Sequence, residues 1–277
     1  MLAALIIVFR EVVEAGLVVG IVLAATRSVG GSRLWTVAGI AGGILGSCVV
    51  AVFAGAIASA FAGYGQELFN AAILAIAVIM LAWHNIWMAR HGRELANDLR
   101  AAGEAVARGN KSLLALALVV GIAVLREGAE VVLFLYGIVI TDGGSGLSLL
   151  AGGFIGLALG AALSSLTYFG LLRVPTRHLF KVTSLMIAFL AAGMAAQSVL
   201  FLEQAGVVEF LGETAWDSSA FLSEKSILGR ILHTLIGYSD QPSFLQLLTY
   251  GTTLVVLYLL TRTFSSPGNP QAVRTGA

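Results

Sequence analysis

A chain of 277 residues that is 58% hydrophobic, 11% charged and carries 33 glycines does not have the composition of a soluble globular domain. Its net charge of +1 gives no electrostatic footprint of a nucleic-acid partner, and none is expected. Cys48 is the single cysteine and lies in an apolar run, which excludes disulfides within the chain, thiolate clusters and CxxC chemistry.

Apolar runs of about 20 residues or more recur along the chain, each long enough to cross a hydrocarbon core. They predict an all-α integral membrane protein with seven transmembrane helices, at roughly 1–26, 35–61, 69–89, 113–140, 147–172, 179–202 and 244–263. Met1 to Phe9 is apolar and Arg10 follows in the same run. The first segment therefore reads as a retained helix, since a cleaved signal would need a basic start. The organisation expected is a three-helix repeat at 1–89, a cytoplasmic connector at 90–112, and a second three-helix repeat at 113–202. An outer acidic loop at 203–243, a seventh helix at 244–264 and a disordered cytoplasmic tail at 265–277 follow. The connector is polar, mixed in charge and rich in Ala and Arg, and reads as a short helix joining the halves.

Orientation follows from the basic residues. Arg27, Arg33, Arg90, Arg93, Arg100, Arg108, Lys111, Arg173, Arg177, Lys181, Arg262 and Arg274 all fall on one side if seven helices alternate. Only Lys225 and Arg230 fall on the other. The positive-inside rule then places a multi-pass protein in the cytoplasmic (inner) membrane, N-terminus outside and C-terminus in the cytoplasm. The outer side carries Glu67, Asp142, Glu203, Glu209, Glu213, Asp217, Glu224 and Asp240. That is either a mouth that concentrates cations or ordinary solvated loop charge.

Two stretches break the apolar pattern. Arg10-Glu11-Val12-Val13-Glu14 lies in the first segment and Arg126-Glu127-Gly128-Ala129-Glu130 in the fourth, 116 positions later. An ionisable group at the centre of a membrane helix costs about 2.5–3.5 kcal/mol on insertion scales, and it persists where it faces a protein interior with a task. After three crossings the fourth helix runs opposite to the first, so segments 1–3 and 4–6 read as an inverted repeat. That architecture places a substrate site at the midplane between halves. Arg10 lies about nine residues from the outer end and Arg126 about thirteen from the inner end, on the order of 14 and 20 Å, both near the middle of a core about 30 Å thick.

On a helix, R-E-x-x-E puts the arginine and both glutamates within an arc of about 100°. Facing helices would then bring Glu11, Glu14, Glu127 and Glu130 together with Arg10 and Arg126. The formal charge is −2 when every carboxylate is ionised, which suits a divalent or trivalent cation with hard oxygen ligands. A buried Arg–Glu network that only locks two helices and a proton relay built on the same glutamates are the competing readings.

At these motifs the chain resembles the oxidase-dependent iron permease family of fungi and bacteria, whose hallmark is R-E-x-x-E in the first and fourth of seven helices. Trp216-Asp217-Ser218-Ser219, Gly237-Tyr238, Pro242-Ser243 and Tyr250 resemble its bacterial branch. The resemblance implies a high-affinity iron permease in which the four glutamates bind iron in passage and the two arginines support them. Iron is then transported substrate, no cofactor is bound permanently, and the protein is not an enzyme. The partners implied are the iron ion, the bilayer, and a separate extracytoplasmic oxidase, peroxidase or iron-delivery protein. Residue types alone leave a proton-coupled permease, or one for manganese or lead, as alternatives. A di-metal membrane enzyme is disfavoured, since neither glutamate pair has histidine at the Glu-x-x-His spacing. A haem carrier would want axial histidines in opposed helices, and only His84 lies at a suitable position.

Other features carry weaker signals. His84 reads as an inner-path ligand or proton relay, or as an interfacial residue beside Arg90 and His91 with Trp83 and Trp87 as belt residues. Glu203, Glu209, Glu213 and Asp217 are candidates for an outer metal-collecting site. Residues 219–238 show a helical apolar period and predict an amphipathic helix on the outer leaflet or over the outer mouth. Gln197 reads as a helix–helix hydrogen bond. Gly39, Gly42, Gly43 and Gly46 form a small-residue stripe that matches Gly152, Gly153, Gly156 and Gly160 in the other half, as close helix packing requires.

Overall fold

A computed structural model describes residues 1–60, 65–142, 146–170, 176–224 and 226–264. Arg173, Lys225, Arg274 and the tail at 265–277 lie outside the described residues. The described chain is all-helical: α1 Leu2–Ala25, α2 Ser32–Ala60, α3 Gln66–Ala107, α4 Leu113–Asp142, α5 Gly146–Tyr168, α6 Thr176–Gln204, α7 Ile227–Ile236 and α8 Phe244–Phe264. Five of them hold stretches long and apolar enough to cross a membrane: Ser32–Ile57, Gln66–His84, Gly146–Tyr168, Ser184–Gln204 and Phe244–Thr263. The other two long helices, α1 and α4, miss that description because each carries an R-E-x-x-E motif.

Apolar side chains point outward on the peripheral helices, with Leu34, Val52 and Phe53 on α2 and Leu147, Leu150 and Phe154 on α5 all exposed. Buried among the inner helices are Arg10, Glu11, Glu14, His84, Glu127 and Glu130. A water-soluble fold buries the first set and exposes the second; a helical protein in lipid does the reverse.

The connector expected at 90–112 is not a separate helix. α3 runs unbroken for 42 residues, about 63 Å at 1.5 Å per residue. Its second half is rich in Ala, Arg, Glu and Leu, all strong helix formers, and holds no proline. It stops where Gly109 takes a left-handed conformation, φ +77°, and the Arg108 amide donates to the Glu104 carbonyl at 2.9 Å.

α1, α3, α4 and α6 form the centre; α2 packs on α4, α5 on α1, and α8 on α6 and α3. The two small-residue stripes set the peripheral contacts in matching register. A Cβ at Gly39 would lie 2.5 Å from the Ala117 carbonyl oxygen and one at Gly43 2.8 Å from that of Gly121. A Cβ at Gly152 would run into the Met1 carbonyl oxygen, and one at Gly156 would lie 2.5 Å from that of Leu5. Ala117 and Gly121 follow Met1 and Leu5 by 116 positions, the offset of the two motifs. Ser47 continues the first stripe, its hydroxyl donating to the Leu125 carbonyl at 3.4 Å; Gly160 continues the second against Phe9 and Val12. Gly42 has nothing within 4 Å and takes no part.

Two apolar layers bracket the charged residues along α1, α3 and α4. One contains Ala3, Ala4 and Ile7 of α1, Leu74, Ala77 and Leu81 of α3, and Phe134 and Ile138 of α4, closed by Ile187, Ala191 and Met194 of α6. The other contains Val18 and Val22, Leu99 and Val106, Leu116 and Val120. The extension of α3 is thus part of the second layer, and Gly103 lets it approach the end of α1, since a Cβ there would meet that of Ala25 at 2.6 Å.

Of the amphipathic stretch expected at 219–238, only Ile227–Ile236 is helical. The chain doubles back before it: the Ser226 hydroxyl accepts from the Gly229 amide at 2.9 Å, and a Cβ at Gly229 would run into the Ser223 carbonyl oxygen. α7 is docked rather than free. Gly237 presses on Gly193 of α6, and the Tyr250 hydroxyl of α8 donates to the Ile236 carbonyl at 2.5 Å. α8 opens with a capping box, in which the Gln246 amide donates to the Ser243 hydroxyl at 3.1 Å and the Ser243 amide to Gln246 Oε1 at 2.8 Å.

Substituting Gly43→Ala or Gly156→Ala is expected to cost about 1–3 kcal/mol, the usual range for overpacking, because the new methyl meets backbone. Gly42→Ala is expected to be neutral or slightly stabilising. Thermal unfolding of the detergent-solubilised variants, followed by size-exclusion chromatography, checks the contrast.

Candidate functional site

Each motif sits on one face of its helix, and the two faces meet. Arg10 is 2% exposed, with Nη1 3.2 Å from Glu11 Oε1 and Nε 2.9 Å from Glu14 Oε1. On α4, Arg126 Nε lies 3.3 Å from Glu130 Oε1 and 3.9 Å from Glu127 Oε1. The arginines differ in setting. Arg126 is 37% exposed along its side chain and rests 4.6 Å above the ring of Trp87, a cation–π contact that adds to its pairing with the carboxylates.

His84 of α3 stands between the motifs. Its Nε2 is hydrogen-bonded to Glu14 Oε2 at 3.1 Å, and its Nδ1 lies 2.5 Å from Glu130 Oε2, out of hydrogen-bond alignment. Glu11, His84, Glu127 and Glu130 each offer a ligand atom within 4.8 Å of the others. Such a spread is close to that of ligands around one cation at about 2.0–2.6 Å from each. All four residues are more than nine-tenths buried. Each also has a buried polar atom with no hydrogen-bond partner: Glu11 Oε2, His84 Nδ1, Glu127 Oε2 and Glu130 Oε2. Buried polar atoms are seldom left so, and a bound cation would satisfy these together.

All four motif glutamates therefore meet, but not equivalently. Glu11, Glu127 and Glu130 belong to the ligand group, while Glu14 is held between Arg10 and His84. His84 is 3% exposed and level with the glutamates, and so is not interfacial. Trp83, by contrast, is exposed, and Trp87 stacks on His91 at 5.3 Å. The signal that would have placed His84 correctly is the helical composition of residues 90–107, which carries α3 past the apparent interface at Arg90.

The outer acids are not gathered. Among the described residues, no group of metal-ligating side chains includes Glu203, Glu209, Glu213 or Asp217. Glu203 accepts from the Ser243 hydroxyl at 2.8 Å. The exposed Asp217 accepts from the Ser219 hydroxyl and amide at 2.6 and 2.9 Å and from Gln241 Nε2 at 2.9 Å. These bonds, Ser219 first, hold the Asp217 pKa below its ordinary value. Glu209 and Glu213 are exposed.

Residues 1–264 match the iron permease FTR1 family. The chain belongs to that family. The ferrous iron permease EfeU of Escherichia coli O157:H7 is 34% identical to this chain over 247 residues, covering 88% of each. EfeU of Shigella sonnei (strain Ss046) matches to the same extent. EfeU of Shigella flexneri is 38% identical over 179 residues, covering 64% of this chain and 75% of the relative. No solved structure matches. The apolar helices and this membership make the chain a multi-pass membrane permease for iron, and the buried cluster of carboxylates and imidazole is compatible with such a cargo.

Removing Arg10 would strand Glu11 and Glu14 without their counter-charge. Arg10→Ala is expected to cost about 3–5 kcal/mol, as for other broken buried pairs, and Arg126→Ala clearly less, because its contacts with Glu130 and Glu127, 3.3 and 3.9 Å, are longer than those of Arg10. Comparing the thermal stability of the two purified variants tests this order.

Proposed function

We propose that this permease moves iron across the cytoplasmic membrane through a midplane site built by its two R-E-x-x-E motifs, with Glu11, Glu127 and Glu130 facing the ion. Glu14 completes the set of four glutamates through His84, and Arg10 and Arg126 hold the carboxylates in place. The observation that carries this reading is the convergence of both motifs on one buried group whose polar atoms lack partners. Ferrous iron, the cargo in the names of the relatives, is the oxidation state assigned.

In this reading α1 and α4 also cross the bilayer, giving seven spans with the N-terminus outside and the C-terminus in the cytoplasm. The shared 116-residue offset of the motifs and of the helix contacts at Met1, Leu5, Ala117 and Gly121 supports an inverted repeat of helices 1–3 and 4–6. The outer carboxylates, Asp217 among them, raise the local cation concentration rather than forming a discrete site. The cluster exchanges the ion's water for carboxylate oxygen, and relative motion of the repeat halves releases it inward. For a ferrous cargo the separate extracytoplasmic partner is an iron-delivery protein; an oxidase or peroxidase in that place would hand over ferric iron and change the oxidation state assigned.

Uptake of iron-55 into proteoliposomes tests the site. Glu127→Gln, Glu130→Gln and Glu14→Gln are each expected to lose most of the saturable uptake at matched membrane levels. Competing manganese, zinc and lead define selectivity. Normal uptake by all the variants would overturn the assignment, and proton flux without metal uptake in the wild type would replace it with a proton-coupled permease.

A further inference from the structure

We infer that His84 is a nitrogen ligand of the transport site and that Glu14 is its positioning residue, so that the permease prefers divalent transition ions to calcium and magnesium. This rests on the carboxylate-site reading above and deepens it.

The geometry separates the two ring nitrogens. Nε2 is engaged by Glu14 Oε2 at 3.1 Å, and the other oxygen of Glu14 is ion-paired with Arg10 Nε at 2.9 Å, out of hydrogen-bond alignment. Nδ1 has no aligned partner and faces Glu130 Oε2, on the side where Glu11 and Glu127 hold their own unpartnered oxygens. A metal-binding histidine usually has one nitrogen on the ion and donates from the other to a carboxylate, which sets the tautomer and ring orientation. Glu14 and His84 have that arrangement. The chain Arg10–Glu14–His84 also explains why one of the four motif glutamates stands outside the ligand group.

The chemical consequence is selectivity. Calcium and magnesium take oxygen ligands, whereas imidazole suits iron, zinc, copper and nickel. Four carboxylates alone would hold calcium well. Replacing one of them by an imidazole nitrogen at the ion shifts preference toward transition metals while keeping enough negative charge for a divalent ion. His84 lies on α3, between the two motif helices, so the residue that sets preference belongs to neither motif.

The test uses the full-length permease in nanodiscs with Mn2+ as a paramagnetic probe and pulsed electron paramagnetic resonance as readout. A nitrogen hyperfine coupling from imidazole is expected in the wild type and in Glu14→Gln, and its loss in His84→Gln while Mn2+ stays bound by the carboxylates. Glu14→Gln should lower Mn2+ affinity on the order of 10–100-fold, the usual effect of removing an orienting partner. The preference for Zn2+ over Ca2+, read as displacement of bound Mn2+, should fall on the order of tenfold in His84→Gln, because the lost imidazole suits zinc and not calcium. Bound Mn2+ without nitrogen coupling in the wild type would overturn the role of His84 and leave the carboxylate site standing. No Mn2+ binding, or binding untouched by Glu127→Gln and Glu130→Gln, would instead overturn the site on which the inference rests. If His84→Gln does not fold, the wild-type spectrum still decides, because no other described histidine lies in the cluster.

Discussion

Charge buried in an apolar medium must be compensated where it lies, and the centre of this permease is organised around that requirement. Arg10, Glu11 and Glu14 bring both signs on one helix, Arg126, Glu127 and Glu130 bring both on another, and His84 links the sets through Glu14 and Glu130. The compensation is incomplete. Four buried polar atoms of the ligand group remain without partners, which is costly in a settled core and useful in a site that must accept and release a cation. A lock between helices would gain from pairing every atom; a transport site needs the last partner to be the cargo.

The same constraint explains the glycine stripes. Charged side chains can meet only if their helices are held in register. Gly39 and Gly43 against α4, and Gly152 and Gly156 against α1, bring backbones close enough for that. Close approach through small residues is the ordinary way helices associate in lipid, where apolar burial between helices offers little drive. Polar centre and peripheral packing are therefore two aspects of one design: the first specifies which faces must meet, and the second fixes how far along the helices they meet.

Much of this is legible in the residues. Arg and Glu inside an apolar run cannot be ignored, and their repetition with the same spacing points to facing helices. The positions of α1, α2, α4, α5, α6 and α8 follow from apolar length. What the pattern hides depends on tertiary contact. His84, next to Arg90 and His91, has the local signature of an interface, and only the unbroken course of α3 to Ala107 shows otherwise. The stretch at 219–238 has a helical apolar period, yet the Ser226 cap and the close contact of Gly229 with Ser223 start the helix only at Ile227. Glu203 and Asp217 read in the sequence as candidates for an outer metal-collecting site, because their partners Ser243, Ser219 and Gln241 are brought to them only by the fold of the loop.

An apolar layer lies on each side of the cluster along α1, α3 and α4. Toward the start of α1 lie Ile7, Leu74, Leu81 and Phe134; toward its end lie Val18, Val22, Leu99 and Val120. In the transport site proposed above, an ion reaching or leaving the carboxylates would have to pass one layer while the other stays closed, or the membrane would leak. α3 contributes to both layers and carries His84 between them. Leu74 and Leu81 lie in one layer and Leu99 and Val106 in the other, with the imidazole held between Glu14 and Glu130. The long uninterrupted α3 thereby ties both apolar layers to the charged cluster between them, which two short helices joined by a flexible loop would not do.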